Sequence, residues 1–279
     1  MYRLEREEFL KFPLVGLWAL LGFQAGFVNA FGFLACSRYV SHVTGFGTQI
    51  GVAVAESQLW TAFELFGFPA SFIAGAFLNG LLTSARTERG LRPHYEVVTL
   101  LLPLILALIC LAGELGLIGA FSDTSNKIHD FILLYSLSFV CGLQNACFAT
   151  FTKGQIRTTH LTGISTDFGT DLARIHFGSL PPEELKLARR ANLSRVATFL
   201  FFSLGSVLSV ILSESLGYSA LMVPIISAAA VAVVVRAIKM QMDKIHQPQR
   251  LAGYKIQDVF SCNATSRDSS SGRPEGSSH

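Results

Sequence analysis

Six apolar runs of membrane-spanning length dominate this sequence: Phe12–Leu34, Trp60–Leu82, Val97–Ile118, Phe131–Phe151, Val196–Ser213 and Tyr218–Val235. They are 18 to 23 residues long, within or near the roughly 17–25 that cross a hydrocarbon core of about 30 Å as helix. Only Glu64 and Glu114 bring charge into them, both near window ends. Charged residues make up 15% of the 279-residue chain, against roughly 25% in a globular domain, too few to cover the surface of a soluble fold this long. The 23 Phe and a mean hydropathy of +0.46 oppose disorder for most of the chain. A net charge of +3, with basic residues lying between apolar runs, opposes nucleic-acid binding. The expected fold is an all-α integral membrane protein with six transmembrane helices and the lipid bilayer as its surroundings. The first run exceeds the ~7–15 apolar residues of a signal peptide and is expected to be a retained span.

Orientation follows from the 22 basic residues. With six crossings, 20 of them fall on the side holding both termini and the second and fourth connections, and only Arg38 and Lys127 fall on the other. The positive-inside rule makes the rich side cytoplasmic. Residues 1–11 are then a cytoplasmic N-terminus, 12–238 a six-helix membrane domain, and 239–279 a polar, Ser-rich cytoplasmic tail expected to be disordered. The sequons at Asn192 and Asn263 fall inside and escape glycosylation. Pro181 to Arg195 is expected to form an amphipathic helix feeding the fifth span. Its prolines stand at the start, Glu183 and Glu184 in the first turn, and Lys186, Arg189 and Arg190 after them, the order a helix dipole favours.

Self-similarity refines this picture. Gly26-Phe27-Val28-Asn29-Ala30 near the end of the first span matches Gly142-Leu143-Gln144-Asn145-Ala146 near the end of the fourth. The segment His42-Val43-Thr44-Gly45-Phe46-Gly47-Thr48-Gln49-Ile50-Gly51 then matches His160-Leu161-Thr162-Gly163-Ile164-Ser165-Thr166-Asp167-Phe168-Gly169 at five of ten positions. A weaker match pairs Phe72-x-x-Gly75-Ala76 with Phe202-x-x-Gly205-Ser206 in the next helix of each half. Two three-helix copies, about 12–118 and 131–235, are expected. Three is odd, so the second copy enters the membrane from the opposite side, giving the inverted repeat characteristic of many secondary transporters.

The repeated polar residues are the candidate substrate-binding set. Asn29 and Asn145 are amides inside apolar helices, where each needs a partner; they serve either as interhelical hydrogen bonds or as walls of a polar cavity. Gly22 and Gly26, with Ser138 and Gly142, have the small-x-x-x-small spacing of close helix packing. After His42 and His160 come stretches free of basic residues, Val43–Ala55 and Leu161–Ala173, too short to span and suited to re-entrant or interfacial segments. Thr44 and Thr162 are expected to cap short helices there and to present free N–H groups to an anion or carbonyl. The competing reading is a plain amphipathic surface helix. His42 and His160 titrate near neutrality when unperturbed and stand as proton carriers or as hydrogen-bonding caps. Thr48 pairs with Thr166, while Gln49 pairs with Asp167, making Asp167 the acid expected to meet a proton or cation, with Asp171 expected to matter less.

No catalytic residues, cofactor or metal are expected: there is no G-x-S-x-G, H-E-x-x-H or P-loop pattern, and the five Cys form no C-x-x-C pair. The G-F-x-N-A and V-T-G of the first half, with G-L-Q-N-A and Thr158-Thr159-His160-Leu161-Thr162-Gly163-x-x-Thr166-Asp167 of the second, resemble the YoaK family (DUF1275), bacterial multi-pass membrane proteins of unknown function. The resemblance covers about residues 13–238. Asn29 and Phe46 stand where that family commonly has an acid and an amide. It implies a multi-pass protein of the bacterial inner membrane and supplies no substrate. The repeat architecture points to a transporter of a small solute or ion; the alternative is a non-transporting sensor or assembly partner acting through its cytoplasmic loop and tail.

Overall fold

The computed structural model describes residues 12–122, 127–151, 161–237 and 240, and every regular element among them is helical. In chain order these are α1 (Phe12–Cys36), α2 (Val43–Ala55), α3 (Leu59–Leu82), α4 (Ser84–Glu88), α5 (Tyr95–Glu114), α6 (Lys127–Phe151), α7 (Leu161–Phe177) and α8 (Pro182–Leu216). A 3-10 turn at Gly217–Leu221 leads into α9, residues 222–237. The chain divides into two units, Met1–Ala232 and Val233–His279. Of the second, residues 233–237 and 240 are described, and all are helical. The expected cytoplasmic N-terminus of residues 1–11 and nearly all of the expected tail lie outside the described residues.

Five helical stretches are long and apolar enough to cross a membrane, the last being Pro182–Ala237. Their outward faces carry exposed Phe63, Ile73 and Phe77 on α3, Leu104, Leu108 and Leu111 on α5, and Leu200, Leu204, Val207 and Ile211 on α8. Apolar surface on that scale has lipid, not water, as its solvent, so this is a multi-pass helical membrane protein. The Pro182–Ala237 stretch is interrupted at Gly217, whose φ of +53° is open to glycine and costly for other residues.

Helix ends follow local chemistry. Ser37, in the left-handed region at φ +55°, stops α1. α2 occupies the thirteen residues expected of the first short segment, and α7 runs one turn beyond Ala173. α5 stops at Glu114, with Gly116 at φ +73° beyond it, so the last residues of the third apolar window leave the helix. Pro182 opens α8, with Glu183 and Glu184 in the first turn. The helix expected over Pro181–Arg195 is therefore present, continuous with the fifth apolar run.

Close contacts fix the relative direction of the helices. A Cβ on Gly26 would run into the Phe202 carbonyl oxygen, and one on Gly205 into that of Phe23. Gly22 lies against Thr198, and Ser206 Oγ donates to the Gly26 carbonyl at 3.1 Å, so residue numbers rise together along the seam and α1 and α8 run parallel. A Cβ on Gly142 would meet the Phe72 carbonyl oxygen, and one on Gly75 that of Phe139. With Tyr135 Oη donating to the Glu64 carbonyl at 2.7 Å and Asn79 Nδ2 to Thr150 Oγ1 at 3.3 Å, α3 and α6 also run parallel. α1 and α6 are antiparallel: the Cys36 thiol reaches the Asp130 carbonyl at 3.9 Å, and Gly32 lies against Leu134 and Leu137. Thus α1 opposes α3, and α6 opposes α8. The chain returns through α2 and through α7 without a net crossing, and it crosses once through α5.

Candidate functional site

The residues expected to bind substrate are not gathered into one site. Asn29 Oδ1 accepts hydrogen bonds from the Ser41 backbone N–H at 3.2 Å and Ser41 Oγ at 3.0 Å, so this amide fastens the α1–α2 connection to α1. Thr44 does not cap α2: His42 holds the N-cap position without a side-chain hydrogen bond, and Thr44 sits exposed inside the helix. The correction has a local cause, since helical geometry begins at Val43, leaving Thr44 without the extended backbone of a cap. Thr162 is likewise the second residue of α7 and exposed. Thr48 Oγ1 donates to the Thr44 carbonyl at 3.3 Å and Thr166 Oγ1 to the Thr162 carbonyl at 3.0 Å, each spent on its own helix. His42 is exposed, edge-on to Tyr39 at 6.2 Å. His160 lies outside the described residues.

A different set of polar groups is sealed inside the bundle. Gln24 on α1 is 1% exposed and Gln144 on α6 is 3% exposed. Among the described residues neither amide atom of Gln24 has a hydrogen-bond partner, nor does Gln144 Nε2, Asn145 Oδ1, Asn79 Oδ1, Ser209 Oγ or Ser213 Oγ. Each such group costs about 1–3 kcal/mol when dry and unpaired. The antiparallel register of α1 and α6 locates the two glutamines. Stepping back about eight residues from Gly32 and forward about eight from the Leu134–Leu137 level brings Gln24, half-way along α1, level with Gln144, in the C-terminal half of α6. No sequence pattern marks Gln24, a single amide between the packing glycines Gly22 and Gly26. Gln144 occupies the unmatched position of the repeated G-[FL]-x-N-A motif.

The ionised groups collect elsewhere, where α7 docks on α8. Arg195 Nη1 donates to Asp171 Oδ2 at 2.7 Å and to Asn192 Oδ1 at 2.6 Å, and Arg174 Nη1 donates to the other Asp171 oxygen at 2.8 Å. Asn192 Nδ2 in turn reaches the Phe168 carbonyl at 3.4 Å. Asp171 is 6% exposed. Burial raises its pKa, but the hydrogen bonds and charges of Arg195 and Arg174 outweigh burial and hold the carboxyl below its ordinary value of 3.8. Asp167, expected to be the functional acid, is exposed and only 3.8 Å from Arg195. The motif spacings, 118 from His42 to His160 and 130 from Gly75 to Gly205, align Ala53 with Asp171, Ala62 with Asn192 and Leu65 with Arg195. Those first-half residues are buried too, at 5%, 7% and 4% exposure. Equivalent positions thus carry an apolar trio in one half and a charged, hydrogen-bonded trio in the other.

Among the described residues no three His, Cys, Asp or Glu side chains stand together as a metal site. No curated protein and no solved structure matches the chain. A family model described as a protein of unknown function (DUF1275) matches residues 17–234, which takes in α2 to α8, all but the first residues of α1 and most of α9. A multi-pass bundle whose repeated motifs and buried amides fall within that range, this chain belongs to the DUF1275 family.

Proposed function

We propose that this protein is a six-crossing, inverted-repeat transporter of a small polar solute or ion, set in the bacterial inner membrane with both termini cytoplasmic. The observation carrying this reading is a pair of sealed amides at one level of α1 and α6, Gln24 with no partner for either amide atom and Gln144 with none for Nε2. A membrane core without water leaves such groups no stabilising partner, so their retention fits a pathway that is occupied or hydrated in another state. The repeat supports the reading. Gly26 and Gly142 close on Phe202 and Phe72, and Gly205 and Gly75 close on Phe23 and Phe139, the same two contacts made twice, each joining one half to the other. The α1–α6 register brings Gly26 level with Gly142, where a pseudo-two-fold axis in the membrane plane would pass. The break at Gly217 supports counting α8 and α9 as separate crossings. Asn145 adjoins Gln144 in the chain and also keeps a buried atom, Oδ1, without a partner, and Asp167 stays a candidate for ion coupling at the cytoplasmic surface.

The test is uptake by proteoliposomes, with and without an imposed pH gradient, of a radiolabelled panel of amino acids, carboxylates, amines and monovalent ions. At least one solute is expected to accumulate only when protein is present. Gln24→Leu and Gln144→Leu are expected to lower that flux at least about tenfold while raising thermal stability, because an unpaired buried polar atom is removed. A folded protein that moves none of the panel, or Leu variants with full flux, would overturn the reading in favour of a sensor or assembly role.

A further inference from the structure

The sequence places two basic residues, Arg38 and Lys127, apart from the other twenty. The fold brings both to one cavity of about 440 Å³, between the C-terminal end of α1 and the N-terminal ends of α3 and α6. Glu64 and Asp130 line the same cavity, and Leu65 and Leu134 form a buried apolar floor. Its volume is that of a small-molecule site, and its few polar groups converge over an apolar base.

Three of the charges at this cavity, those of Arg38, Lys127 and Glu64, are not neutralised by an ion pair among the described residues. Ser37 turns the chain out of α1 at φ +55°, and Arg38 Nη1 then donates to Gln49 Oε1 at 2.9 Å, a neutral partner that fixes the guanidinium and leaves its charge intact. Tyr135 Oη donates to the Glu64 carbonyl at 2.7 Å, anchoring the Glu64 backbone and sparing its carboxylate. Among the described residues, Arg38, Lys127 and Glu64 make no ion pair within 4.0 Å. Arg38, Lys127 and Glu64, charges of both signs round one partly enclosed space and without an ion pair, are complementary to a ligand bearing both signs. A guanidinium offers a carboxylate a two-pronged hydrogen bond, and a carboxylate accepts from an ammonium.

We propose that this cavity binds a zwitterionic solute of amino-acid type, its carboxylate on Arg38 and Lys127, its ammonium on Glu64, and an apolar side chain over Leu65 and Leu134. The site names a substrate class for the proposed transporter, yet it stands as a binding site whether or not the chain moves what it binds.

Binding is measured by isothermal titration of the full-length protein in nanodiscs with L-leucine, and with two singly charged analogues of the same carbon skeleton, isoamylamine and 4-methylpentanoate. Leucine is expected to bind saturably, with each analogue at least about tenfold weaker. Arg38→Gln and Glu64→Gln are each expected to weaken leucine at least about tenfold, and Arg38→Lys by less. Gly80→Ala, outside this cavity and the proposed pathway, is expected to leave leucine binding unchanged, and saturable binding by a protein that moves no leucine into proteoliposomes separates failure of transport from failure of this site. No saturable binding up to about 10 mM, either analogue binding as well as leucine, or unchanged affinity in folded Arg38→Gln and Glu64→Gln would overturn the proposal.

Discussion

Asp167 and Asp171 occupy the same helix and differ in what surrounds them. Both are acids near basic residues in the sequence, and the repeat singled out Asp167 because it faces Gln49 in the alignment. The deciding contact comes from Arg195, 24 residues beyond Asp171, whose approach depends on how α7 docks on α8 and leaves no mark on local spacing. Asp171→Asn is expected to destabilise the α7–α8 contact by about 3 kcal/mol, the order seen when one member of a buried pair is removed, whereas Asp167→Asn should leave it within about 0.5 kcal/mol. Limited proteolysis at the α7–α8 connection, with thermal unfolding in detergent, measures both. Installing the first half's residues together, as Asp171→Ala, Asn192→Ala and Arg195→Leu, should recover most of that loss; no recovery would mean that the equivalent positions do not pack alike. The pH dependence has a definite sign. Since the Asp171 pKa is lowered on folding, its contribution is complete above the ordinary value and is lost as pH falls below it through the depressed one. α7 should therefore hold on α8 at pH 5 and loosen below about pH 4.

Between elements, glycine decides how closely helices approach. At Gly26, Gly75, Gly142 and Gly205 a single added Cβ would meet a backbone carbonyl oxygen, while at Gly47 and Gly80 nothing lies within 4 Å. Gly26→Ala and Gly142→Ala are expected to lower stability by about 1–3 kcal/mol each through overpacking. Gly47→Ala and Gly80→Ala are expected to be neutral or stabilising by up to ~1 kcal/mol from helix propensity. Thermal unfolding of the four variants checks this, and equal effects in all four would contradict it. Much at this scale was legible: the thirteen residues of α2, the start of α8 at its prolines, and the packing role of Gly26 and Gly142 all follow from short-range signals. Thr44 was misjudged as a cap because a Thr before Gly satisfies the pattern wherever the helix starts, and the true start depends on how Asn29 ties down Ser41. The buried glutamines escaped notice for a related reason, because hydropathy averages over a window and one amide per span barely changes the mean.

For the molecule as a whole, hydropathy carries the multi-pass helical character, because a bilayer imposes length rules that sequence alone records. It does not say which helices touch. The parallel pairing of α1 with α8 and of α3 with α6, with α1 opposed to α6, comes from contacts between residues as far apart as 180 positions. That pairing leaves α2 and α7 as helices that turn back on the side they came from, so the two short motifs should face opposite compartments. The most direct measurement is labelling of single cysteines, Ser57→Cys after α2 and Ser179→Cys after α7, both exposed positions, in a background with the native cysteines replaced. A membrane-impermeant maleimide applied to intact cells is expected to modify Ser57→Cys at once and Ser179→Cys only after permeabilisation. Modification of both from the same side would contradict the inverted architecture and, with it, the transport reading built on it.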